Sequence, residues 1–91
     1  MNAEAIAERY RLTVIEDDTY GFLSAERAPL TTLIPERSLF VTSVSKSVFP
    51  GLRVGCVVSP PSLTEKVAAS VWASVIMTSP IGADLLCGWL E

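Results

Sequence analysis

The sequence predicts an α/β fold, because three short runs of apolar, β-branched residues are flanked by segments with helical periodicity. The predicted order is helix, strand, strand, strand, helix, helix. Apolar residues make up 49% of the 91 residues and charged residues 19%, and the mean hydropathy is +0.42. This is a high apolar content for a small free-standing domain, so we expect part of its surface to contact something larger.

The first helix is predicted over residues 3–10, with Asn2 as its N-cap. Branched and apolar residues then predict strands at residues 12–15, 39–44 and 53–58. The connection between the second and third strands is too short for a parallel crossover. These two strands should therefore be antiparallel neighbours or occupy different positions in one mixed sheet.

Two further helices are predicted in the last third of the chain. One follows Pro61, with Ser62 and Glu65 three residues apart as a capping box. Its apolar stripe consists of Leu63, Val67, Val71 and Val75. The other begins at Ser79 and Pro80, a good cap and first-turn pair, and continues to the last residue.

Charge and composition argue against several classes of function. Seven Lys and Arg residues against ten Asp and Glu give a net charge of −3, and the basic residues do not cluster. We therefore expect no nucleic-acid binding by this segment. The apolar run at residues 67–77 is too short to cross a membrane, and a cytoplasmic protein is the default expectation. Without histidine, Cys56 and Cys87 predict no metal site and are expected to be buried apolar groups.

Polar side chains collect at the ends of the predicted strands, where open α/β sheets bind ligands. They are Asp17 and Tyr20 after the first strand, Ser43, Ser45 and Lys46 after the second, and Arg53 at the start of the third. An aldehyde cofactor with a ring nitrogen and a phosphate needs a lysine amine, a carboxylate, an arginine and hydroxyl groups. All four chemical types are present.

Two motifs make the pattern specific: IEDDTYG at residues 15–21 and TSVSKSVFPGLRVG at residues 42–55. In order and spacing they resemble the core of the class I/II aminotransferases of fold type I. The resemblance implies that residues 1–91 are part of the mixed, mostly parallel-sheet large domain of the pyridoxal-phosphate-dependent transferase fold. It further implies pyridoxal 5′-phosphate as cofactor, amino-group transfer between an amino acid and a 2-oxo acid, and a homodimeric parent protein.

The resemblance also implies a role for each matching residue. Lys46 resembles the lysine that forms the imine with the cofactor, and Asp17 the carboxylate that pairs with the ring nitrogen. Tyr20 resembles the phenol that binds the ring oxygen. Arg53 resembles the phosphate-binding arginine, with Ser43 and Ser45 as the accompanying hydroxyls. From the residues alone, Asp17 is also typical of a turn cap, Tyr20 of a packed strand-end tyrosine and Lys46 of a solvated loop lysine.

Three alternatives remain. Ser43 and Lys46 have the Ser-x-x-Lys spacing of serine acyl-transferring enzymes, but that motif belongs at the start of a helix and its companion motifs are missing. MocR-type transcription regulators resemble aminotransferases across this same region and place it behind a winged-helix DNA reader. The chain could also be an inactive remnant, since the family's upstream phosphate loop and downstream small domain have no counterpart here. We expect little or no turnover from the 91 residues alone.

Overall fold

The computed structural model describes residues 2–24 and 26–91. In these residues, three α-helices and three strands are arranged in the order α1 (Ala3–Arg9), β1 (Val14–Asp17), β2 (Ser38–Ser43), β3 (Gly55–Val58), α2 (Pro61–Val75) and α3 (Pro80–Leu90). Short 3-10 turns occupy parts of the connections, at Gly21–Leu23, Leu30–Thr32, Pro35–Arg37 and Pro50–Leu52. The predicted element order is confirmed.

The strands form one sheet in the order β1-β2-β3. β1 and β2 are parallel, with Val14 opposite Ser38 and Asp17 opposite Val41. β2 and β3 are antiparallel neighbours, the first of the two predicted arrangements, with Ser43 opposite Gly55. Because β1 and β2 run in the same direction, their carboxyl ends and the start of β3 lie at one edge of the sheet.

The expected fold class is wrong beyond its α/β character. A mixed, mostly parallel large-domain sheet of the pyridoxal-phosphate-dependent transferase fold is not what the described residues form. They form three helices and a three-stranded sheet with one parallel and one antiparallel pair.

Two local predictions are corrected as well. β1 begins two residues later than predicted, because Arg11 has φ 52° and turns the chain after α1. Glu16 and Asp17 therefore lie within the strand and not after it. Helix α2 begins at Pro61 without a side-chain cap, so the predicted capping box of Ser62 and Glu65 does not form. Proline at the first helical position supplies the start signal instead.

Buried apolar residues are few and scattered. Ala7, Ile34, Val54 and Leu86 are buried, and the Ser38 hydroxyl, also buried, donates a hydrogen bond to the Ile34 carbonyl oxygen at 2.8 Å. Cys56 and Cys87 are exposed, contrary to expectation: all residues of β3 and of the last turn of α3 are exposed. Within the described part of the chain, no helix combines the length and apolar character needed to cross a membrane.

Candidate functional site

The candidate site lies at the sheet edge where β1 and β2 end and β3 begins. Asp17 is the last residue of β1, and Ser43 is the last residue of β2. The backbone N–H of Asp18 donates to the Val41 carbonyl oxygen at 2.8 Å, and the Thr42 hydroxyl donates to the Asp18 carbonyl oxygen at 3.3 Å. These bonds hold the two strand ends side by side, so the residues that follow them share one edge.

The loop of residues 45–53 connects β2 to β3 and carries three of the predicted site residues. Its base is closed by a hydrogen bond of 3.4 Å from the Val44 N–H to the Val54 carbonyl oxygen. The Val48 and Phe49 N–H groups both donate to the Val44 carbonyl oxygen, at 2.9 and 3.1 Å. The sequence folds locally in this way because Pro50 and Gly51 favour a turn. Lys46 and Arg53 therefore belong to one closed loop.

Ser43 and Ser45 form a pair of half-buried hydroxyls at the base of this loop. Their oxygens lie 3.1 Å apart, and the Ser45 N–H donates to the Ser43 Oγ at 3.1 Å. The Ser43 Oγ also lies 3.2 Å from the Val54 carbonyl oxygen, to which it can donate. The structure brings these two predicted residues together, and both hydroxyls lie beside the backbone that leads to Arg53.

Arg53 has a left-handed backbone conformation, φ 54° and ψ 37°, which is uncommon for a residue with a side chain. Its N–H donates to the Pro50 carbonyl oxygen at 3.3 Å, which ends the 3-10 turn before β3. Its side chain is exposed, as is that of Lys46. Tyr20 is 58% exposed. These three side chains are accessible to a ligand but are not enclosed by the described residues around them.

Asp17 is exposed, and its carboxylate caps the turn that follows β1. The Oδ1 atom accepts hydrogen bonds from the Thr19 hydroxyl at 2.5 Å and from the Thr19 N–H at 3.0 Å. The hydroxyl and the N–H of Thr19 lower the pKa of the Asp17 carboxyl, against a small opposing effect of burial. Asp17 is therefore ionised at neutral pH, as a partner for a protonated ring nitrogen must be.

Glu16 has a role that its sequence position did not reveal. Its side chain points to the opposite face of the strand and accepts hydrogen bonds from the Leu30 N–H at 2.9 Å, the Thr31 N–H at 2.9 Å and the Thr31 hydroxyl at 2.6 Å. Burial acts to raise the pKa of Glu16, but the bonds from Thr31 and Leu30 together outweigh it and lower the pKa. In the sequence, the pair of threonines after Pro29 was the available indication of a hydrogen-bond partner for Glu16.

The donor set at this edge fits an aldehyde cofactor that carries a phosphate. Lys46 supplies a primary amine, Arg53 a guanidinium, Ser43 and Ser45 hydroxyls, and Asp17 an ionised carboxylate. A guanidinium and hydroxyl groups are the usual partners of phosphate oxygens. These are the residues that could hold such a group.

Comparison with known proteins gives a consistent class of relatives. The chain is 35% identical over 81 residues to the uncharacterized HTH-type transcriptional regulator YdeF of Bacillus subtilis (strain 168), which covers 88% of this chain and 18% of the relative. It is 42% identical over 57 residues to the uncharacterized HTH-type transcriptional regulator YjiR of Escherichia coli (strain K12), and this match covers 58% of this chain and 12% of the relative. It is 30% identical over 89 residues to the uncharacterized HTH-type transcriptional regulator YisV of Bacillus subtilis (strain 168), and this match covers 93% of this chain and 17% of the relative.

The chain is similar to HTH-type transcriptional regulators. It spans between 12% and 18% of the length of these curated relatives. No protein-family model matches it, and no solved structure matches it significantly.

These relatives overturn the identification of the chain as a fragment of a class I/II aminotransferase. YdeF, YjiR and YisV are each described as a transcriptional regulator and none as a transferase. The expected partners are corrected on the same ground: amino-acid and 2-oxo-acid substrates do not follow from these relatives, and the exclusion of nucleic acid conflicts with them. The alternative of a transcription regulator is the one that the comparisons support.

Proposed function

We propose that the chain is part of a DNA-binding transcriptional regulator, and that the edge of its sheet forms the site at which the regulator holds pyridoxal 5′-phosphate. The shared description of the relatives supports the regulator class. One observation carries the site: the closed 45–53 loop joins Lys46 and Arg53 to the Ser43 and Ser45 hydroxyls at the edge where Asp17 ends β1. A regulator acts on DNA, so we place the protein in the cytoplasm.

Each residue has a defined task in this proposal. Arg53 binds the phosphate through its planar guanidinium, while Ser43 and Ser45 contribute hydroxyls from the base of the loop. Lys46 presents its amine to the carbonyl carbon, and Asp17 keeps a negative charge for the ring nitrogen. Tyr20 offers its phenol to the ring oxygen. When bound, pyridoxal 5′-phosphate supplies an electrophilic carbonyl that recognises primary amines, which is a suitable chemistry for sensing an amine ligand.

The cofactor site is tested by reductive trapping. The protein is incubated with pyridoxal 5′-phosphate, reduced with borohydride and mapped by mass spectrometry, with Lys46→Ala and Lys66→Ala beside it. Lys66 is the matched control because it is also exposed but lies on α2, away from the sheet edge. We expect the label at Lys46, lost in Lys46→Ala and retained in Lys66→Ala. Equal labelling of both lysines would contradict a specific site.

The regulator class is tested separately, by mobility shift of the full gene product on DNA from its own upstream region and on random DNA. We expect tighter binding to the upstream DNA and weaker binding to both as salt rises, because phosphate contacts release counterions. Equal binding to the two DNAs, or none to either, would remove the regulator proposal. Neither result depends on the lysine mapping.

A further inference from the structure

Helix α3 approaches the backbone just before β3 at Gly82. Gly82 is buried in the first turn of α3, and its N–H donates to the Ser79 Oγ at 3.2 Å. A Cβ atom added at Gly82 would lie 2.8 Å from the Leu52 carbonyl oxygen and 2.8 Å from the Val54 Cγ2 atom. Both distances are well inside van der Waals contact. Only glycine allows the helix to come this close.

The atoms in contact with Gly82 cannot move aside without displacing the backbone or a buried side chain. Val54 is 5% exposed, and Leu86, one turn further along α3 from Gly82, is 8% exposed. The Leu52 oxygen belongs to the backbone, and the Val54 side chain is β-branched with little rotamer freedom. An added methyl group at Gly82 would therefore displace the backbone of residues 52–54, the helix, or both.

The displaced backbone is the part that orients the proposed phosphate-binding groups. Arg53 lies between the two contacted residues, in its left-handed conformation. The Val54 carbonyl oxygen accepts from the Val44 N–H at 3.4 Å and lies 3.2 Å from the Ser43 Oγ. A shift at Leu52 and Val54 therefore changes the position of the Arg53 guanidinium relative to the Ser43 hydroxyl.

We propose that Gly82 is a positioning residue: its close packing on Leu52 and Val54 sets the spacing of Arg53 and Ser43 for a phosphate group. The proposal rests on the function proposed above, because it concerns the same sheet edge. The chemistry recognised is a phosphate, which could be the phosphate of a cofactor or free inorganic phosphate. The experiment separates these two sources.

The test compares Gly82→Ala with Gly88→Ala on the same helix. Gly88 is the matched control, because a Cβ added there meets nothing within 4 Å. Each variant is titrated with inorganic phosphate, with pyridoxal 5′-phosphate and with pyridoxal, and backbone amide shifts are followed by NMR at Arg53. We expect Gly82→Ala to weaken binding of the phosphate-bearing probes about tenfold, because a displaced binding group makes poorer contacts with the phosphate. Pyridoxal binding should not change, and Gly88→Ala should match wild type.

Several outcomes overturn the proposal. Equal loss of pyridoxal and pyridoxal 5′-phosphate in Gly82→Ala would mean general damage, and wild-type phosphate affinity in that variant would mean that Gly82 positions nothing. If wild type shifts the Arg53 amide with inorganic phosphate but labels no lysine with pyridoxal 5′-phosphate, the cofactor proposal fails while the positioning role stands. Should Gly82→Ala not fold, Val54→Ala loosens the same contact, and unchanged phosphate affinity there would also overturn the proposal.

Discussion

At the scale of single residues, two adjacent carboxylates at the end of β1 have different tasks. Glu16 accepts three hydrogen bonds from Leu30 and Thr31 and so ties the segment between β1 and β2 to the sheet. Asp17 faces the other way and remains exposed at the candidate site, because successive side chains of a strand point to opposite faces. The sequence shows three acidic residues in a row, but it does not show which of them finds a partner fourteen residues later.

We expect Glu16→Gln to lower the free energy of unfolding by about 1–2 kcal/mol at pH 7, because it removes charge-assisted hydrogen bonds. The folded pKa of Glu16 is lowered, so its contribution is complete above the unfolded pKa and is lost as the pH falls through the folded pKa. Urea unfolding at pH 7 and at decreasing pH measures this. The difference between wild type and variant should shrink with acidification.

Two further variants sharpen this measurement. Thr31→Val removes the donor hydroxyl, and its effect should be smaller in the Glu16→Gln background than in wild type, as expected for coupled partners. Glu26→Gln is the control, since Glu26 is an exposed carboxylate in the same connecting segment. If Glu26→Gln and Glu16→Gln behaved alike across the pH range, the hydrogen bonds to Leu30 and Thr31 would carry no net stability.

At the scale of elements, the sequence predicts existence and order better than boundaries. β-branched runs locate β2 and β3 because their branched residues fit a pleated sheet, and Ser79 with Pro80 locates α3 because cap chemistry is local. The start of β1 is missed because the positive φ of Arg11 depends on how α1 ends. The 3-10 turn at Leu30–Thr32 is missed because its N–H groups bond to a distant side chain, Glu16.

The residue that follows α2 has a strained backbone conformation, and this strain can be tested. Ile76 has φ 63° and ψ −60°, and the Met77 N–H donates to the Val75 carbonyl oxygen at 2.6 Å, which together describe a γ-turn of the strained kind. A β-branched residue is poorly suited to this conformation, and Ile76 is 64% exposed, so little burial offsets the strain.

We therefore expect Ile76→Gly to raise the free energy of unfolding by about 1 kcal/mol, after the entropy cost of glycine in the unfolded chain. Val75→Gly, one residue earlier and still helical, should lower it by about 1 kcal/mol. Thermal and urea unfolding of the pair give the two signs. Destabilisation by both variants would show that Ile76 is not strained.

At the scale of the whole molecule, the sequence correctly predicts that apolar side chains are exposed on the surface, but it predicts the wrong class of protein. Trp72, Val75 and Met77 are more than half exposed, in line with the high apolar content. The class was assigned from motifs around Asp17 and Lys46 that resemble those of aminotransferases, and MocR-type regulators resemble aminotransferases across the same region. A resemblance common to two classes cannot by itself distinguish an enzyme from a regulator.

Some of the exposed apolar residues line a groove of about 480 Å³ between β2 and α2. Its lining includes Leu39, Leu63, Val67, Val71 and Val75. We expect the 91-residue chain to bind an anilinonaphthalene sulfonate dye and to sediment with a mass that rises with concentration, because apolar faces of this extent associate in water. Substituting Val71 and Val75 together by lysine should reduce both effects, since both positions line the groove and are exposed.

Ala69→Lys adds a charge to an exposed position of α2 that does not line the groove, and it should leave dye binding unchanged. Circular dichroism of each variant checks that the helix persists, so a loss of dye fluorescence reports the groove and not unfolding. A wild-type chain that stays monomeric across the concentration range and binds no dye would show that the exposed apolar residues do not form an adhesive surface. In that case the groove beside Leu39 would be stable in water as it stands.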